Sequence, residues 1–223
     1  MWAKIESGNI VTIYNNPVRL KDAEGTVYPS SYFTDNTKLA KFYVYPVVFK
    51  NSIPLKINLY EGGAESFAWN NSTKVVDGTY DYTTRSITDV PQVWKQSEID
   101  DGQAPSGTSA GDPKNDEDGN QIIKIGLKVE LTAVVKDMQT RLLNQTDKWV
   151  TRKSEKGTAI PETVTTWRDG IRTAHTTMIA SITGAANFDA ISVLFDATYN
   201  DKNVMTAPAP LYNFPVAPSD MPQ

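Results

Sequence analysis

The sequence predicts an α+β protein: a mostly antiparallel N-terminal β domain, then an αα-hairpin, a short third helix and an extended proline-rich C-terminal arm. Three observations predict it. Residues 1–98 consist of short runs rich in Val, Ile, Thr, Tyr, Phe and Trp, punctuated by Gly, Pro, Asn and Asp, the composition of a pleated, half-buried surface. From Leu127 to Ile182, apolar residues recur every three or four positions, as on amphipathic helices. From Thr206, Pro208, Pro210, Pro215, Pro218 and Pro222 interleave with Leu211, Tyr212 and Phe214, which suits an extended segment. The implied division is a β-rich domain over 1–98, an acidic Gly/Pro/Ser linker over 99–121, a helical hairpin domain over 122–200 and the arm over 201–223.

Each element has its own local signal. Trp2–Ile5 and Ile10–Tyr14 flank Glu6-Ser7-Gly8-Asn9, a hairpin with a glycine-containing turn. Val18–Leu20 and Thr26–Tyr28 flank Asp22-Ala23-Glu24-Gly25, a second hairpin, and Phe33–Leu39 contains a helical turn. Phe42–Phe49 reads as a strand whose Pro46 argues against a central position. Lys56–Tyr60, Glu65–Trp69 and Lys74–Tyr82 read as further strands, with turns at Asn70-Asn71, Asp77-Gly78 and Gly62-Gly63. Residues 100–121 are Gly, Pro, Ser and Asp rich with almost nothing apolar, so they read as a linker or exposed loop.

In the helical region, Leu127, Leu131, Val134, Val135, Met138, Leu142 and Trp149 mark one stripe. Val164, Trp167, Ile171, Ala174, Met178 and Ile182 mark the other. Between them, Gly157 suits a left-handed C-cap and Pro161 the first turn of the next helix. Arg152, Lys153 and Lys156 precede the turn and Glu162 follows it, each where the helix dipole favours its charge. Phe188 to Tyr199 forms the third helix, with Phe188, Ile191, Leu194 and Phe195 on one face. An apolar extended arm needs a surface to lie on; a neighbouring subunit is the surface favoured here, which makes the arm an element of association rather than folding.

Composition narrows the chemistry. The 223 residues are 39% hydrophobic and 22% charged, with a net charge of −4, ordinary for a globular protein. An acidic balance with no basic stripe disfavours nucleic acid as a partner. No apolar run approaches the ~20 residues of a membrane span, and the N-terminus lacks the basic and apolar regions of a signal peptide. There is no cysteine, so disulfides, thiolate catalysis and cysteine metal sites are excluded, and the one histidine rules out a multi-histidine zinc site within the chain.

No constellation reads as catalytic. His175 is read as a partly exposed or packed helix histidine, because no nucleophile or orienting partner is recognisable beside it. Lys114–Ile125 has Asp116, Asp118 and Gly119 at calcium-loop positions, but Lys114 and Ile125 stand where acids are needed. The glycine-rich stretches lack dinucleotide or phosphate-loop spacing. No cofactor or metal is expected. The N-terminal aromatics, Trp2, Tyr14, Tyr28, Tyr32, Phe42, Tyr43 and Tyr45, are read chiefly as core, with a sugar-binding or protein-binding face as the alternative. Trp2, Tyr14 and Tyr45, with Leu211, Tyr212 and Phe214 of the arm, are the candidate interface residues.

Two stretches carry a resemblance. One is Met1-Trp2-Ala3-Lys4-Ile5-Glu6 with Asn9-Ile10-Val11, Tyr28-Pro29, Phe33-Thr34 and Val44-Tyr45-Pro46-Val47. The other is the run from Gln145 to Lys153, followed by Gly157-Thr158-Ala159-Ile160-Pro161, Thr166-Trp167-Arg168 and Ile171-Arg172. Together they touch about half the chain and resemble a family of tailed-phage virion proteins described as tail-fibre-like or baseplate-associated. The helical part is also similar to the helical module of tail-fibre assembly chaperones. Such chains often end in a Trp-Pro soon after the third helix, whereas here the arm continues from Thr206. The resemblance implies a non-enzymatic structural component of a phage tail. It would be assembled in the host cytoplasm, reside in the virion, act by protein–protein binding and be oligomeric within the assembly. An assembly chaperone absent from the mature particle is one alternative, and a module binding a host-surface glycan is another.

Overall fold

The computed structural model describes residues 1–219, so Pro222 of the expected arm lies outside the described residues. The fold is mixed α+β, with a mostly antiparallel N-terminal sheet and several helices. The chain divides into two compact units, Met1–Thr84 and Arg85–Gln223.

In the first unit, β1 (Trp2–Glu6) and β2 (Asn9–Tyr14) form a hairpin whose turn residues Ser7 and Gly8 both have positive φ, at 52° and 82°. That backbone matches the twist of the flanking strands. The short pair β3 (Leu20–Lys21) and β4 (Val27–Tyr28) follows. Next come a 3-10 turn over Ser30–Thr34 and α1 (Asn36–Ala40), whose N-cap Asp35 accepts from the backbone N–H groups of Thr37 and Lys38. Then come β5 (Val44–Phe49), β6 (Tyr60–Asn70) and β7 (Val75–Thr84), completing a sheet in the order β2-β1-β5-β7-β6.

Alternation sends the two faces of β1 to different cores. Ala3 and Ile5 join Val76, against which Ile10, Ile13, Tyr45, Val47, Phe67 and Trp69 pack. Trp2 turns the other way, with Tyr14, Tyr28, Tyr32 and Phe42, onto buried Leu20, Phe33, Leu39 and Val44. A register shift opposite Lys4 and Ile5 leaves Val11 as the extra residue of β2. The bulge puts Ile10 and Ile13, an odd number of positions apart, on one face.

Several strand expectations need correction. β5 is the central strand despite Pro46. Tyr43 accepts from the N–H of Ile5, and Val47 donates to the carbonyl of Met1. Odd-numbered residues therefore bond β1, and the missing N–H of Pro46 falls on the other edge, where pairing to β7 begins only at Val47. Lys56–Tyr60 is not a strand: a 3-10 turn spans Ile57–Leu59 and β6 starts at Tyr60. Asp77-Gly78 lies inside β7 rather than at a turn. A Cβ on Gly78 would meet the Phe49 ring and Val47 at 3.1 Å, so the glycine admits close approach of the neighbouring strand. Gly62-Gly63 is likewise a bulge within β6, where Gly63 lies against the Tyr82 ring.

In the second unit, β8 (Val90–Pro91), α2 (Gln96–Asp100) and β9 (Ile123–Lys124) enclose the stretch expected to be a linker. It is a folded loop. The Trp94 N–H donates to Asp112, Gly111 donates back to Trp94, and Lys114 donates to Gln92, at 2.9, 2.9 and 3.0 Å. Polar side chains do what an apolar core does elsewhere. The Asp116 carboxylate accepts from the N–H groups of Asp118 and Asn120 at 3.0 and 2.8 Å, an Asx turn, and Lys114 pairs with Glu98 at 2.7 Å while lying over the Trp94 ring.

Three helices follow: α3 (Leu127–Asn144), α4 (Asp147–Lys156) and α5 (Glu162–Gly184). α3 packs against α5. The second stripe is buried as the periodicity implies, with Val164, Trp167, Ile171, Met178 and Ile182 almost fully enclosed. The first stripe is narrower than expected: Leu127, Leu131 and Val135 are buried, while Val134 faces solvent. The helix is also not continuous. It breaks at Gln145-Thr146, so α4 stands between the two long helices, which are not joined by a short turn alone. Gly157 has φ of 69° and closes α4 by donating to Lys153, as a left-handed cap does.

The break has a physical cause. Arg168 of α5 is buried, and its Nη1 donates to the Leu143 carbonyl, the Thr146 hydroxyl and the Asp147 carboxylate, each at 2.8 Å. Thr146 is itself fully buried and donates to the same Leu143 carbonyl. One guanidinium thus satisfies the C-terminal end of α3 and holds the first residue of α4.

Beyond α5 the third helix is shorter than expected. α6 (Phe188–Ser192) runs into a 3-10 turn over Val193–Phe195, and β10 (Thr198–Tyr199) then pairs with β11 (Met205–Ala207). The tail after β11 lies on its own chain. Ala209 and Leu211 are buried, Trp167 donates its indole N–H to the Pro215 carbonyl at 3.0 Å, and Gly170 leaves room for the Pro215 ring. Residues 209–215 therefore contribute to this unit's packing, contrary to an arm reserved for a neighbour.

Candidate functional site

The candidate site is the aromatic face of β5, β7 and β6. Pairing places Val47 beside Val76 and Val76 beside Trp69, then Phe49 beside Gly78 and Gly78 beside Phe67. With a period of two, Tyr45, Val47 and Phe49 share a face with Val76, Gly78, Tyr80 and Tyr82 and with Phe67 and Trp69. The rings meet along it. Phe49 stacks on Tyr80 with centroids 4.2 Å apart and planes 8° apart, and also meets Phe67 at 6.1 Å. Tyr80 continues to Tyr82 at 6.0 Å, and Tyr45 meets Trp69 at 4.6 Å. Such contacts add to the stabilisation from burial. All of these rings remain partly accessible.

At one end of this face three chain reversals converge: the β1–β2 turn, the α1–β5 junction and the β6–β7 turn. They enclose a cleft of about 510 Å³ lined by Ile5, Ser7, Gly8, Tyr43, Tyr45, Trp69, Asn71 and Lys74. The β6–β7 turn is held by Asn70, whose side-chain oxygen accepts from the N–H groups of Ser72 and Thr73. Lys74 donates to the Asn71 side chain at 2.6 Å and lies 5.7 Å from the centre of the Trp69 ring. Tyr43 has φ of 58° and is 62% exposed.

The six candidate interface residues are divided between the units. Tyr45 lines the cleft. Trp2 and Tyr14 instead pack edge-on against buried Phe33, at 4.9 and 5.7 Å, as core residues do. Leu211 is buried within the second unit, Phe214 is half-buried, and Tyr212 is 51% exposed with one edge on Phe195. Sequence reading missed Trp69 as Tyr45's partner, since the two are 24 positions apart (69 − 45) and only the strand order joins them. Tyr43, read with the core aromatics, is instead exposed, and its left-handed backbone has no signal in a Phe-Tyr-Val-Tyr run.

Elsewhere, His175 is half-buried on α5 and its Nε2 has no hydrogen-bond partner among the described residues. Among the same residues, no group of three His, Asp or Glu side chains is placed to hold a metal ion, and no helix is long and apolar enough to cross a membrane. Compared with family models, with curated proteins and with solved structures, the chain matches none.

Proposed function

We propose that this protein is a non-enzymatic structural component of a phage tail, at the baseplate or a fibre attachment point, acting by protein–protein binding. The observation that carries the reading is the loop between β5 and β6. Ile53, Leu55 and Ile57 are 49%, 103% and 49% exposed, three apolar side chains within five residues. Clustered apolar exposure of this kind is unfavourable in water and is relieved when a partner covers it. The two stretches resembling tail-fibre-like and baseplate-associated proteins supply the class of partner, other tail proteins of the same particle. The assembly-chaperone reading shares this chemistry and differs in residence.

Cross-linking mass spectrometry on intact particles tests the proposal. The expected result is a set of cross-links from Lys50 and Lys56, which flank the loop, to another tail protein. Links confined to this chain would remove the loop as the docking element.

A further inference from the structure

We infer that α4 docks on the acidic loop of residues 98–118 in a second copy of this chain, head to tail. This rests on the protein-binding role proposed above and names a partner and a surface for it. α4 is ten residues long and contains no buried residue. From Thr151 to Ala159 every residue is exposed. An isolated helix of that length is marginal in water, and helices ordinarily gain their stability by packing one face. The start of α4 is anchored by the pair between Arg168 and Asp147 and by half-buried Trp149. Its later turns stand in solvent and lack such a face.

The charge of the helix defines what would cover it. Lys148, Arg152 and Lys156 recur at intervals of four, one stripe along α4, and Lys153 flanks them. Like charges at that spacing oppose each other. None of these four cations forms an ion pair among the described residues. Arg152 and Lys148 lie 5.0 and 5.8 Å from the centre of the Trp149 ring, a neutral neighbour that leaves their charge in place. The complement is in the same sequence. Residues 98–118 hold seven acids and one lysine, a charge of −6 (1 − 7), against −4 for the whole chain. Asp101, Glu117 and Asp118 are exposed there and form no ion pair among the described residues. Asp112 and Asp116 already order the loop by accepting backbone N–H groups at 2.8 Å, so little freedom is lost in fixing it against a partner. A positive stripe meeting a negative loop steers association and sets its register. The net negative charge of the chain disfavours nucleic acid as the covering polyanion. Because the two surfaces differ, the contact propagates from copy to copy, into a closed ring or an open row of subunits.

Sedimentation velocity of the purified full chain, at low and at high salt, tests this. The expected result is concentration-dependent association at low salt that added salt screens away. Lys153→Glu with Lys156→Glu, or Glu117→Lys with Asp118→Lys, should each weaken association by about tenfold or more, as like charges are brought together. All four side chains are exposed, so both variants should keep the thermal midpoint of the parent. An equimolar mixture of the two variants should associate again, because it holds an intact loop on one chain and an intact helix on the other. A parent that stays monomeric at low salt leaves α4 to a different acidic partner and overturns the inference. Undiminished association of either folded variant overturns it equally, as does a mixture that associates no better than its components. Cross-links from Lys50 and Lys56 to another tail protein would stand under each of these failures.

Discussion

Replacing Arg168 with methionine tests how the helical unit is held together. The substitution keeps most of the side-chain volume and removes the donor. Three hydrogen bonds of 2.8 Å are lost at once. Hydrogen bonds involving a charged group contribute about 1.5–3 kcal/mol each, but two features reduce the sum. The Leu143 carbonyl keeps the Thr146 hydroxyl and the Thr146 N–H, so no buried acceptor is orphaned. The Asp147 side chain is 51% exposed and is rehydrated, and removing the guanidinium also relieves its own desolvation. The expected net loss is about 2 kcal/mol, on the scale of one charged hydrogen bond rather than three. Asp147→Asn removes the other partner, leaving the guanidinium buried without its carboxylate, at a cost of about 1–2 kcal/mol after allowance for solvent exposure. Urea unfolding followed by far-UV ellipticity reports on the helical unit. Hydrogen exchange at residues 143–147 should rise in Arg168→Met more than elsewhere. A loss below about 0.5 kcal/mol, the ordinary range for surface changes, or unchanged exchange at the helix break, would refute the assignment of the break to Arg168.

Other outcomes follow from the same contacts. Trp167→Ala should cost about 3–5 kcal/mol, whereas Trp167→Phe, which loses chiefly the bond to Pro215, should cost about 1 kcal/mol; denaturant midpoints read both. Deleting residues 206–223 uncovers the Trp167 surface and removes the buried Leu211, so the thermal midpoint of the helical unit should fall by about 6–12 °C, from about 3 kcal/mol of lost burial and hydrogen bonding. An unchanged midpoint would mean that the tail lies loosely on its own helix. The Glu98 carboxyl is held below its usual pKa by the Lys114 ammonium and by the Lys95 backbone N–H. A depressed folded value adds stability above the unfolded pKa of about 4.3, lost as pH falls through the lower folded value. The Trp94 indole resonance should therefore shift as the loop is acidified below about pH 4, and Glu98→Gln should abolish that dependence.

The sequence made much of the local architecture legible and little of the long-range architecture. Ser7-Gly8 and the periodicity of α5 needed only neighbours to be read, and both elements formed where expected. Pro46 misled because the rule against proline in central strands assumes hydrogen bonding on both edges along the whole strand, while β5 changes partners at that residue. Asp77-Gly78 has the composition of a turn, but tertiary packing against Phe49 decided its conformation. The break between α3 and α4 was invisible because its cause, Arg168, lies 22 positions beyond Thr146. The 100–121 stretch has almost nothing apolar yet folds, since Asp112 and Asp116 satisfy its backbone locally and Trp94 and Lys114 pin it. Of the cleft's lining, Tyr45 alone stands among the candidate interface residues and Tyr43 among the aromatics read chiefly as core, because a cleft made by three separate turns has no signature in any one of them.

The most direct test of the proposed tail role is quantitative mass spectrometry of purified virions. The account predicts a fixed copy number per particle, in a multiple of about three or six as closed rotational assemblies imply. Abundance in infected lysate with absence from the purified particle would contradict residence in the tail and assign the chain to assembly instead.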